Sequence, residues 1–232
     1  MSYQDIKQTT DVSSLTDSQK YSLHLEDVIW MGVRFIFYSA LLVGFILVIT
    51  WEAKNAPHET LFSEQSLLEY LQEASLFCTA ILCLFIYRIF PDKKALALLL
   101  GGAALVALIR EFDSFFDSKV FDGAWQVFVM ITMALVIVSL VPLRKTILPL
   151  ISDFIQRKSF GIVFSGFLTV FVFSRMFGRG IFWEAVTGEH SIRAVKNAAE
   201  EGTELLGYVL IFVGVMELLA EFYRELKLRR NP

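Results

Sequence analysis

Apolar residues run through this chain in long uninterrupted blocks, separated by short polar stretches that carry almost all the charge. A hydrocarbon core of ~30 Å takes about 20 helical residues to cross. Six segments reach that length: Trp30 to Trp51, Glu69 to Phe90, Ala95 to Phe116, Ala124 to Leu143, Phe160 to Gly180 and Glu204 to Tyr223. Arg110, Glu111 and Asp113 interrupt the far end of the third. Trp30, Trp51, Trp125 and Trp183 fall near segment ends, where aromatic belts sit. The pattern predicts an all-α, polytopic membrane bundle of about six transmembrane helices. Residues 1–29 form a polar N-terminal tail, partly disordered and rich in Ser, Thr, Asp and Gln. Residues 30–223 form the transmembrane domain, and 224–232 a basic tail.

Composition agrees: of 232 residues, 55% are hydrophobic and 19% charged, too few polar groups to cover a soluble domain of this size. A net charge of -3 gives no reason to expect a nucleic-acid partner. The first 29 residues lack a basic n-region and a small-residue cleavage site. The first apolar block is therefore expected to stay in the bilayer.

Orientation follows from lysine and arginine. With the N-terminus inside, Lys7 and Lys20 are cytoplasmic, as are Arg88, Lys93 and Lys94 after the second helix. Arg144, Lys145, Arg157 and Lys158 follow the fourth, and Arg224, Lys227, Arg229 and Arg230 close the chain. Only Lys54, Lys119, Arg179, Arg193 and Lys196 fall outside, so both termini are expected in the cytoplasm.

Two connections carry further pattern. Pro142 to Lys158 alternates charged and apolar residues, as a short amphipathic helix on the inner surface would, with Pro149 placed to break it. Ser191 to Glu204 reads as a helix continuous with the last span.

An ionisable residue at a helix centre costs roughly 2.5–3.5 kcal/mol on insertion scales, so such groups normally face the bundle interior and need partners. Most of those here fall at one depth, one turn inside the outer face. The second helix supplies Glu69 and Glu73, four apart and on one face. The third supplies Arg110, Glu111 and Asp113. The fifth brings Arg175, then Arg179 and Glu184. The last enters with Lys196, Asn197, Glu200, Glu201 and Glu204. Two readings stay open. Arg110 and Arg175 neutralise Glu73, Glu111 or Glu204 in a structural clasp, or the cluster binds a cation, a proton, or a lipid or peptide headgroup. A second set, Arg34 with Glu217 and Glu221, lies near the inner boundary and reads as a structural ion pair joining the first and last helices.

No catalytic residue is assigned. The chain has only His24, His58 and His190, with no HExxH, so zinc chemistry is not expected. No cofactor is predicted. The acids Glu69, Glu73, Glu111, Asp113, Glu200 and Glu204 leave a divalent cation open as a ligand, although no metal site is assigned. Cys78 and Cys83, five apart in an apolar block, imply neither a redox pair nor a disulfide. Gly101, Gly102, Ala103, Ala104 and Ala107 give the third helix a small-residue face suited to close packing; without a following GK[ST] they form no P-loop. No span is broken mid-membrane by Gly or Pro, the usual pointer to a transport site.

The stretches Glu69-Tyr70-Leu71-Gln72-Glu73, Arg110-Glu111-Phe112-Asp113 and Glu200-Glu201-Gly202-Thr203-Glu204-Leu205-Leu206-Gly207-Tyr208 together resemble a pattern in uncharacterised bacterial multi-pass inner-membrane proteins. The resemblance implies residence in the bacterial inner membrane and carries no catalytic residue over. The expected function is structural or accessory, or ligand-binding. A small proton- or ion-coupled transporter and a metal-dependent enzyme acting on a lipid-linked substrate are the alternatives. The bilayer is the expected partner, and a second copy or an envelope protein stays open.

Overall fold

The computed structural model describes residues 17–55, 66–187 and 193–230, and every element among them is helical. The order is α1 (Asp17–Asn55), α2 (Leu67–Ile89), α3 (Lys94–Glu111), α4 (Asp113–Lys119), α5 (Ala124–Leu140), α6 (Arg144–Ile155), α7 (Lys158–Leu168), α8 (Arg175–Phe177), α9 (Gly180–Thr187) and α10 (Arg193–Arg230). Five helical runs are long and apolar enough to cross a membrane, and a sixth if α3 and α4 count as one bent span. Residues 1–16, expected to be disordered, lie outside the described residues, as do His58 and His190.

The chain divides into two units, Met1–Val48 and Ile49–Pro232. The described part of the first is the N-terminal stretch of α1, whose Phe35, Ile36, Phe37 and Leu47 are exposed, as lipid-facing residues would be.

In the second unit, α10 packs on both α2 and α7, and α3 packs on α2 and α5. The helices thus stand in the order α7, α10, α2, α3, α5, and α6 reaches both α3 and α7. Small residues set these contacts. A Cβ on Gly214 would lie 2.4 Å from Val163 Cγ2, and one on Gly166 2.7 Å from the Gly207 carbonyl, so α7 and α10 touch almost backbone to backbone. On α3, Gly101 faces Cys83 of α2 and Gly102 faces Val136 of α5, which gives the small-residue face its use. The core runs along α10 through Tyr208, Ile211, Val215, Leu218 and Phe222. By contrast α5 buries only Ala124.

Three local features differ from the pattern-based expectation. The third segment is not one straight span: α3 ends at Glu111 and α4 leaves at 57°. Asp113 Oδ1 accepts from the Ser114 amide at 2.6 Å, so the acid that interrupts the apolar run starts the new helix. Secondly, Pro149 does not break α6. It forfeits one backbone bond to the Lys145 carbonyl, the helix continues, and a single 3₁₀ turn, Val141–Leu143, joins it to α5 in one run of 32 residues. Thirdly, the fifth span, Lys158–Phe177, is one helical run but not α-helical throughout. Between α7 and α8 the residues Thr169–Ser174 form a π-helical turn without Gly or Pro. The polar lead-in to the last span is helical and continuous with it, from Arg193 onward.

Candidate functional site

On α10, Glu201, Glu204 and Tyr208 follow one another at three- and four-residue spacing, so their side chains share one side of the helix. Each meets a different segment. Gln72 of α2, wholly buried, donates through Nε2 to the Glu201 backbone oxygen at 2.9 Å and to Glu201 Oε2 at 3.1 Å. Ser174, the last residue of the π turn, lies with Oγ 3.1 Å from Glu204 Oε1. Tyr208 donates its hydroxyl to Glu111 Oε1 of α3 at 2.7 Å. Glu111, Glu201 and Glu204 also lie within electrostatic reach of one another. Three carboxylates from two helices thus meet three neutral side chains, Gln72, Ser174 and Tyr208.

The arginines play a smaller part than their depth in the sequence suggests. Arg175 Nη2 stands 3.7 Å from Glu204 Oε1, a long ion pair, and its side chain is 45% exposed while that of Glu204 is 5% exposed. Arg110 is half-buried beside Glu111 and interacts electrostatically with Glu204 and Asp113.

The remaining candidates spread outward from this level. Glu69 acts electrostatically on Glu201 and on Glu73, and its amide donates to the N-cap Ser66 Oγ at 3.2 Å. Glu73 is half-buried and interacts with Glu69, not with the acids of α10. Asp113 is exposed and serves α4. The Glu200 carboxyl lies against Gly178, where a Cβ would collide with it. Arg179 and Glu184 are exposed.

One buried acid escaped the pattern altogether. Glu52 accepts from the Leu67 amide at 2.7 Å, placing a carboxylate on the amide-bearing end of α2, where the helix dipole favours it.

The opposite end of the unit holds a second network. Lys93 Nζ bonds Asp153 at 3.0 Å, and Arg157 bonds Asp153 at 2.8 Å and Glu225 at 2.6 Å. Glu221 accepts from the Ser159 amide and hydroxyl and stands 3.7 Å from Arg157. Both cations lie over the Phe222 ring, at 5.1 and 4.7 Å. Burial would lower the pKa of Arg157, and the carboxylates of Glu225 and Asp153 outweigh that, holding it above its ordinary value. Glu221 thus has a partner in the α6–α7 connection. Arg34 lies in the first unit and Glu217 in the second.

The donors on the acid level were legible only as faint signals. Gln72 is an amide in an otherwise apolar stretch between two acids, and Ser174 precedes the arginine singled out for its depth. Tyr208 closes the Glu200-to-Tyr208 stretch. No three His, Cys, Asp or Glu among the described residues gather as metal ligands.

The class that this fold defines is an all-α protein with five or six helices of membrane-crossing length and composition, and with a polar level built on the last of them. No protein-family model, curated protein or solved structure matches the chain.

Proposed function

We propose that the chain is an integral protein of the bacterial inner membrane, with both termini cytoplasmic, and that it acts as an accessory or ligand-binding component through the acid level of α10. The grouping of Arg88, Lys93 and Lys94 around the α2–α3 connection with Arg157 and Lys158 around the α6–α7 connection, joined through Asp153, supports that orientation. The observation that carries the binding reading is the identity of the donors. Glu111, Glu201 and Glu204 are held by Tyr208, Gln72 and Ser174, which supply hydrogen bonds but no charge. A low-dielectric setting balances such a surplus of carboxylates with something positive, whether a proton or a small cation. A clasp would have met these acids with bidentate arginines instead.

The test is the melting temperature of purified protein in detergent micelles, read against pH and against added sodium, calcium or ammonium at fixed ionic strength. A binding site makes the wild-type melting temperature depend on pH or on one of these ions, and the dependence weakens in Glu201→Gln and Glu111→Gln. If the variants only melt lower, with the same flat dependence as wild type, the cluster is a clasp.

The π turn at Thr169–Ser174 favours a second reading, ion- or proton-coupled transport. Such turns widen a helix locally and recur at functional sites, and this one presents Ser174 to Glu204. Reconstituted liposomes with a pH-sensitive dye test it: a proton flux that Glu204→Gln abolishes supports transport, and an unchanged baseline leak removes it.

A further inference from the structure

Gln72 is pinned by its own hydrogen bonds. An amide nitrogen has two hydrogens to give, and Nε2 spends them on the Glu201 backbone oxygen at 2.9 Å and on Glu201 Oε2 at 3.1 Å. Turning the amide over would press its oxygen against both acceptors, so the orientation is fixed. Oε1 is therefore held in place, buried, with no donor among the described residues. It shares a carbon with Nε2, so it lies within one amide width of the nitrogen that bonds Glu201. A buried acceptor without a donor is costly, and this one stands on the acid level.

Glu201 has a charge to balance as well. Glu204, Glu200 and Glu69 act on it electrostatically, and the side chain that bonds it is neutral. The arginines of the level serve other acids. Arg175 stands 3.7 Å from Glu204, and Arg110 acts on Glu111, Glu204 and Asp113. Among the described residues no lysine or arginine forms an ion pair with Glu201. Glu69, Glu200 and Glu201 are half-buried while Gln72 is wholly buried, so the acids offer an entering cation a charged approach to the amide.

A ligand at this point has two tasks: to give Oε1 a partner and Glu201 a counter-charge. Water performs only the first, and a proton on Glu201 only the second. A cation performs both. A divalent ion gathers several carboxylates, and no three acids among the described residues group in that way. One carboxylate and one amide oxygen suit a single positive charge.

The geometry points to a monovalent cation site between α2 and α10: a sodium-sized ion bound by Gln72 Oε1 and the Glu201 carboxylate. Glu69, Glu200 and Glu204 supply the field that draws it in, and Gln72 keeps both of its bonds to Glu201. This inference rests on reading the level as a binding site, and it names the class of ligand and the two residues that hold it.

The experiment is binding of radioactive sodium to the full chain in detergent micelles, with choline replacing sodium at constant ionic strength. Wild type binds the tracer saturably, unlabelled sodium displaces it, and choline does not. Gln72→Leu weakens binding about tenfold or more, as loss of one of two ligands should, and Glu201→Gln abolishes it. Gly161→Ala, where a Cβ meets nothing within 4 Å, binds as wild type does. Should Gln72→Leu fail to fold, Gln72→Met, unbranched like glutamine, takes its place. Absence of saturable binding in wild type overturns the proposal and leaves water as the partner of Oε1. Binding that the Gln72 variant leaves unchanged, or that survives Glu201→Gln, overturns it too. After any of these results, a melting temperature that still responds to pH or to another ion keeps the level a binding site. A flat response removes that wider reading as well.

Discussion

Gln72 holds Glu201 through two hydrogen bonds from one wholly buried amide. Replacing it with leucine keeps the bulk and removes the donor, leaving the Glu201 carboxyl without its α2 partner. The expected loss is about 1–3 kcal/mol, the cost of a buried polar group left unsatisfied, measured as a fall in unfolding free energy in micelles. Tyr208→Phe removes a single hydroxyl from Glu111 and should cost roughly the same, since its acceptor is a carboxylate. If either variant matches wild type, the hydrogen bond it targets contributes nothing. The acids themselves were readable from the sequence, because a charge inside an apolar block stands out against every neighbour. Gln72, Ser174 and Tyr208 were not, because such residues are ordinary in helices and gain meaning only from what faces them.

Helix contacts depend on residues too small to register as chemistry. The approach of α7 to α10 has no room for a methyl group at Gly214, which would meet Val163 side chain and backbone. Gly214→Ala should therefore destabilise by about 1–3 kcal/mol, the usual cost of overpacking. Gly161, on the same α7 with nothing within 4 Å of its missing Cβ, is the control. Gly161→Ala should be neutral or stabilise by up to about 1 kcal/mol, as alanine does in a helix interior. Equal effects from the two substitutions would mean that the helices do not meet at Gly214. The spans themselves follow from local composition, and five or six runs of membrane-crossing length agree with the sequence reading, while the fourth and last run longer than it expected. The π turn at Thr169–Ser174 does not follow from composition, because no Gly or Pro marks it. The bend at Phe112 was foreshadowed only by the charges beside it.

Across the whole second unit, polar links sit at both ends and apolar packing lies between. Arg157 is the hub of one end, bonded to Asp153 and Glu225 and near Glu221, and drawn over Phe222. Arg157→Ala takes the guanidinium from three carboxylates at once, although Asp153 keeps Lys93 and Glu221 keeps Ser159. A loss of about 1.5–3 kcal/mol is expected from the charged hydrogen bonds alone. Arg157→Lys should recover only part of it, since an ammonium cannot reproduce the planar guanidinium fork. Full recovery by lysine would reduce the site to simple charge balance. The same arginine counted in the sequence only as a topology signal, and the structure gives it a tertiary role. Labelling of single cysteines placed at Lys94 and at Lys119 tests the orientation: a membrane-impermeant reagent applied to intact cells should reach position 119 and not 94.

Hydropathy is a sum over some 20 neighbouring residues, so the sequence by itself determined that the chain is helical and how many runs can cross a membrane. It also marked which acids and arginines interrupt or border the apolar runs. Which of those groups meet was decided by the tertiary structure alone. It turned α10 so that Glu201, Glu204 and Tyr208 face Gln72, Ser174 and Glu111, and it set Arg175 back from its acid. The physical reason is that helix rotation and register come from steric fit between residues far apart in the chain. Gly207 against Gly166 and Gly214 against Val163 fix that fit, and no local pattern records it.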